Sequence, residues 1–93
     1  MDMKSFQLPH TGDFYGWRVE MLDVKGRILF SFTQKISGTE LATAKSRGCV
    51  MSDEEALEKL RLATEETARK KYENSDYSFG QSFEGFYSPC GSN

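Results

Sequence analysis

The chain has 93 residues, enough for one domain with one core and no more. Its 28% charged and 13% aromatic residues set it apart from disordered chains, and a net charge of −2 sets it apart from strongly basic nucleic-acid binders. Two cysteines and one histidine are too few for a closed zinc site without carboxylate help, and no apolar run is long enough to span a membrane.

The charge is unevenly spread. Residues 1–50 hold seven Lys/Arg against five Asp/Glu, a balance of +2, and residues 51–93 hold five against nine, a balance of −4. The first thirty residues lack the apolar core of a signal peptide, so a cytoplasmic protein with reduced cysteines is expected. A single disulfide between Cys49 and Cys90 is compatible with the count, but no disulfide framework is visible.

In chain order, residues 1–13 read as an irregular lead-in punctuated by Pro9 and Gly12, with Phe6 and Leu8 tucking against the domain. Tyr15, Trp17, Val19 and Met21 then alternate with Gly16, Arg18 and Glu20, the period of a half-buried strand. Asp23-Val24-Lys25-Gly26 reads as a turn, with Gly26 free to take the positive φ that closes it. A second strand follows over 27–36. Pairing Leu22 with Arg27 sets Met21 against Ile28, Val19 against Phe30 and Trp17 against Phe32, all on one buried face. Arg18, Glu20, Ser31 and Thr33 then face solvent.

After the Ser37-Gly38 turn, residues 39–45 alternate weakly. A third strand is expected there, because two strands alone rarely form a stable sheet; a loop or short helix is the alternative. The helix that follows is the clearest element. Ser52 with Glu55 forms a Ser-x-x-Glu capping box, acidic residues fill the first turn, and Arg69, Lys70 and Lys71 fill the last. Its buried stripe is Ala56, Leu57, Leu60, Ala63, Thr64, Thr67, Ala68 and Tyr72. That stripe is poor in large side chains, so the sheet must supply the bulk of the core. Leu62 falls outside it, on a charged face. Asn74-Ser75 ends the helix. Residues 76–93 are rich in Ser and Gly and carry Tyr77, Phe79, Phe83, Phe86 and Tyr87.

The expected fold is therefore a single α+β domain: an antiparallel two- or three-stranded sheet (β-β-β-α) on one long helix over 14–75, with an aromatic C-terminal tail over 76–93. Tyr77, Phe79 and Phe83 either fold back to complete the core or join a partner surface.

No catalytic constellation is expected. His10 lacks a Ser, Cys or carboxylate at triad spacing and reads as a surface residue. Cys49, between Gly48 and Val50 before the helix, reads as a small buried hydrophobe, with a reactive thiol as the alternative. Glu58, Glu65 and Glu66 alternate with Lys and Arg, as on a solvated face. Gly80, Gly85 and Gly91 match no phosphate cradle. No metal and no cofactor are expected.

The order of elements, with Trp17-Arg18-Val19, Asp23-Val24-Lys25-Gly26-Arg27 and the run from Gly48 to Ala56, resembles the three-strand-plus-helix modules at the N-termini of phage-type integrases. It is also similar to double-stranded-RNA-binding-like modules. In size and build the chain resembles small phage and prophage proteins, including anti-CRISPR inhibitors. The resemblance covers residues 14–73. The integrase-type likeness implies a sheet face that contacts DNA, with Arg18, Thr33 and Lys35 as contacts.

The leading functional expectation is a non-enzymatic protein–protein interaction module, a phage-type inhibitor that occludes a basic, nucleic-acid-binding partner. Its contact surface would combine Glu58, Leu62, Glu65 and Glu66 with Phe83, Phe86 and Tyr87. An acidic helix face would steer toward a basic partner. The alternative is a nucleic-acid-binding module using Arg18, Thr33, Lys35, Lys45 and Arg47. A homodimer is a further option, and no membrane partner is expected.

Overall fold

The structure, a computed structural model, describes residues 2–91. The first residue of the expected lead-in and the last two of the expected tail lie outside the described residues. The elements are β1 (Asp2–Thr11), β2 (Phe14–Leu22), β3 (Ile28–Ser37), α1 (Gly38–Ser46), α2 (Asp53–Glu73) and β4 (Gln81–Phe86). They form one four-stranded sheet in the order β1-β2-β3-β4. The first three strands run antiparallel, and β4 lies parallel to β3. The α+β class stands, but the sheet is mixed rather than antiparallel and two helices replace the single one expected.

The lead-in is a strand. β1 pairs with β2 from Asp2↔Leu22 to Leu8↔Gly16, then shifts register before Thr11. Gly12, at φ +60°, turns the chain back. Pro9 had argued against a strand, but β1 is an edge strand, where a missing N–H is tolerated.

The β2–β3 loop is one residue longer than expected. Leu22 pairs with Ile28, not Arg27, and β3 then shifts so that Met21 faces Phe30, Val19 faces Phe32 and Trp17 faces Gln34. The cause lies in Asp23. Its Oδ1 accepts from the N–H of Lys25 (2.8 Å) and of Arg27 (2.9 Å), and its Oδ2 accepts from Arg27 Nε (2.8 Å). These bonds draw Arg27 into the loop. The extra residue, Leu29, forms a bulge that returns the large side chains to one face. The expected pairings are thus corrected in register, while the buried face keeps Val19, Met21, Phe30 and Phe32. Ile28, expected on that face, is exposed.

Residues 39–45 are helical, not a third strand. Ser37 Oγ accepts from the N–H of Glu40 (3.0 Å), which caps α1. Leu41 and Ala44, three apart, are buried. A Cβ at Gly38 would lie 2.5 Å from Asp13 Oδ1, so a larger residue there would have to displace the Asp13 side chain. α2 is capped by Ser52, whose Oγ accepts from Glu55 N–H, and Glu55 Oε1 in turn accepts from Met51 N–H.

The fully buried residues of α2 are Ala56, Leu60, Thr64 and Ala68, spaced four apart. Three of the four are small, which lets α2 lie close to the sheet, and Leu60 is the one large side chain among them. Two clusters result. Ile36, Leu41, Ala44, Val50, Ala56 and Leu60 form one, and Val19, Met21, Phe30, Phe32 and Ala68 the other, with Trp17 packed against both. The tail completes the second. Tyr77 lies 4.5 Å from Phe30 between ring centroids, and Phe83 meets Phe30 edge-on at 5.9 Å. Phe79 stays exposed, so of the three aromatics for which folding back was one alternative, only Tyr77 and Phe83 do so.

The two cysteines are joined. Cys49, after α1, and Cys90, after β4, form a disulfide. This corrects the expectation of two reduced cysteines.

Candidate docking surface on the open sheet face

Both helices contribute to clusters on one face of the sheet. Strand alternation assigns the other face, whose residues join neither cluster and which neither α1 nor α2 covers among the described residues. Its residues lie in three cross-strand rows set by the pairing: Leu8–Gly16–Lys35–Phe86, Phe6–Arg18–Thr33–Glu84, and Lys4–Glu20–Ser31–Ser82. Phe14 lies beside the first row, where its ring centroid is 5.9 Å from that of Phe86. Phe6, Phe14 and Phe86 remain partly exposed, Phe86 most of all at 74%.

The polar groups of the middle rows are held by one another. Arg18 Nε lies 3.2 Å from Glu20 Oε2, and its Nη1 donates to Thr33 Oγ1 at 3.2 Å. Ser31 and Ser82 hydroxyls are 3.3 Å apart. Ser31 and Thr33 are buried between these longer neighbours, although they were expected to face solvent. Lys35 has a looser partner, Glu84, at 3.9 Å.

At the Lys35 end the face deepens into two adjoining depressions of about 700 and 410 Å³. Phe14 and Lys35 line both. One wall is the segment after β4. Tyr87 N–H donates to Lys35 O (2.8 Å), Ser88 Oγ donates to Glu40 Oε1 (2.6 Å), and Cys90 is tied to Cys49. Tyr87 packs against the first core cluster, and burial pushes its phenol above the ordinary value.

The expected partner-binding residues divide among three places. Leu62 is 51% exposed on the outer side of α2, in a shallow groove with Glu65, Glu66 and Arg69. Phe83 is half-buried in the core beneath Lys71, whose Nζ sits 4.1 Å above its ring. Phe86 and Tyr87 border the groove on the opposite, open face. The three acidic residues expected to bind a partner, Glu58, Glu65 and Glu66, are answered within the helix. Arg61 bonds both Glu58 and Glu65, which holds the Glu58 carboxyl below its usual range and stabilises the charged guanidinium. Glu66 pairs with Lys70 at 3.3 Å. Glu65 also accepts from Ser5 Oγ, which in turn accepts from Trp17 Nε1 at 2.6 Å. That chain ties β1 and β2 to α2.

The expected nucleic-acid residues also divide. Arg18, Thr33 and Lys35 share the open face, in adjacent rows. Lys45 and Arg47 lie at the end of α1. There Lys45 Nζ is 2.7 Å from Asp53 Oδ1, and this bond raises its pKa. His10 is exposed and stacks on Tyr15 with centroids 4.2 Å apart. No group of three metal-ligating side chains is found among the described residues.

Sequence reasoning missed Phe6, Leu8, Phe14 and Gly16 as members of this face. The alternation of Lys4, Phe6 and Leu8 was the available signal, masked by Pro9. No protein-family model, no curated protein and no solved structure matches this chain.

Proposed function

We propose that the chain is a non-enzymatic protein–protein interaction module that docks through its open sheet face and acts by covering part of its partner. Occlusion of this kind is the mode of the small phage-type inhibitors that it resembles in size. One observation carries the reading: a sheet face left bare by both helices, with Phe6, Phe14 and Phe86 partly exposed around Lys35. Aromatic side chains beside a cation on a firm sheet suit an interface, since they present large area at little entropic cost. The enzymatic alternatives lose support locally. The Cys49 thiol is taken up by Cys90, and His10 stacks at the surface on Tyr15. The ion pairs within α2 shift the weight of the proposal from the helix face to the sheet face.

The test compares three variants as bait against lysate of the source organism, in oxidised form. Phe14→Ser and Phe86→Ser should each lose a partner that the parent chain retains, while Leu62→Asp should retain it. Equal recovery by all three, or loss with Leu62→Asp alone, refutes the sheet-face reading.

A second reading is nucleic-acid binding on the same face. The adjacency of Arg18, Thr33 and Lys35, with Phe6 and Phe86 alongside as stacking groups, favours it. A gel-shift assay at low salt, where phosphate contacts are strongest, decides it.

A further inference from the structure

We propose that the groove around Lys35 binds an extended segment of a protein partner in which alternate residues run apolar, acidic, apolar. This rests on the open-face reading and names the chemistry that the face recognises. Two depressions meet at Phe14 and Lys35. The larger has Phe86 and Tyr87 as its apolar wall, and the smaller has Leu8 and Pro9. Gly16 floors the smaller one. A Cβ there would come within 3.0 Å of Leu8 Cδ1 and 3.6 Å of Lys35 Cγ, so any side chain would fill this space. An extended chain sets alternate side chains on one side at about 6.5–7 Å intervals. Two apolar residues flanking an acidic one therefore reach both depressions, with the carboxylate over Lys35.

The acidic position follows from the charges. Arg18 is already answered by Glu20 and Thr33. Glu40, the carboxylate that lines the groove, accepts from Ser88 Oγ. Lys35 retains capacity. Its partner Glu84 is at 3.9 Å, the limit of an ion pair, and the Glu84 side chain is 75% exposed, so water screens that pair, while the Lys35 side chain is itself 39% exposed. Between apolar walls, a new carboxylate on Lys35 gains more than it would on open surface. A nucleic acid fits less well, because Glu40 in the groove lining and Glu84 beside Lys35 repel a run of phosphates more strongly than a single carboxylate. The wall is set before binding by the Tyr87–Lys35 backbone bond and the disulfide, which lowers the cost of ordering it.

The experiment uses ¹⁵N-labelled oxidised protein and two probe peptides, acetyl-Phe-Ser-Asp-Ser-Phe-amide and its Asn counterpart. The Asp peptide should shift the amides of Gly16, Lys35 and residues 85–91 saturably. The Asn peptide should bind about fivefold more weakly, in line with one partly screened ion pair. Lys35→Gln should weaken the Asp peptide by the same factor and leave the Asn peptide unchanged. Equal affinity for the two peptides, absence of saturable shifts, or shifts on α2 instead would overturn the proposal. If the peptides fail while Phe14→Ser and Phe86→Ser still abolish partner capture, the ligand chemistry is wrong and the open-face reading stands. If all of them fail, both fall.

Discussion

Reducing the Cys49–Cys90 disulfide should destabilise this protein more than any conservative surface change. The cross-link spans a sequence separation of 41 residues. In the chain-entropy treatment, a loop of that length removes about 13 cal/mol/K from the unfolded ensemble, or about 4 kcal/mol at 25 °C. A domain of this size has roughly 5–15 kcal/mol in total, so the bond accounts for a large share. At about 4–8 °C per kcal/mol, the expected fall in Tm is roughly 15–30 °C. Beyond β4, the native-state contacts of the segment that carries Cys90 are few: Tyr87 N–H to Lys35 O, Ser88 to Glu40, and the packing of Tyr87 and Cys90. They do not offset a loss of that size. The assay is a thermal melt by far-ultraviolet circular dichroism with and without a phosphine reductant, alongside thiol titration. A fall of less than about 5 °C with both thiols titrating would show that the bond does not restrict the unfolded chain as reasoned.

Three further outcomes are expected. Leu60→Ala, at the only large side chain fully buried on α2, should cost about 2–5 kcal/mol by chemical denaturation. Leu62→Asp, two residues away and half exposed, should change stability by less than about 0.5 kcal/mol in the same measurement. Tyr87 sets an alkaline limit. Burial raises its phenol above the ordinary value of 10.0, so the folded state holds the proton more tightly than the unfolded state. Its stabilisation is complete below that value and declines as pH rises through the folded pKa, and Tyr87→Phe should remove this part of the alkaline fall in Tm.

The parts of the fold that the sequence made legible were those where a local rule agreed with burial. α2 was found within a residue at each end because Ser52, Glu55 and the basic last turn all mark it. The core face of β2 was found because Trp17, Val19 and Met21 alternate without interruption. α1 was lost although Ser37-Gly38-Thr39-Glu40 carries the same Ser-x-x-Glu signature as α2. Only two of its residues are buried, so its periodicity is faint, and Glu40 bonds Ser88 rather than closing the box. The register failed because the side chain of Asp23 decides the loop length and a bulge then repairs the facing, and neither shows in hydrophobic spacing. β1 and β4 are edge strands with few buried residues, so alternation gives them little contrast. The candidate site suffered for the same reason. Leu62 was recognised as an apolar residue out of place, but Phe86 could be separated from Phe83 only after β4 had a register.

The parallel pairing of β4 with β3 also bears on how the chain assembles. β4 is last in sequence, yet it covers the edge of the strand that carries Phe30, Phe32 and Ile36. During synthesis, β2, β3 and α2 are all available before Gln81–Phe86 emerges, and until then the outer edge of β3 offers a row of free backbone donors and acceptors. An intermediate stopped at that stage is a template for pairing with other chains. The closing strand therefore moves the sheet's open edge from the apolar β3 to the shorter β4, which carries Gln81, Ser82, Glu84 and Gly85, and the disulfide four residues beyond it holds that strand in place.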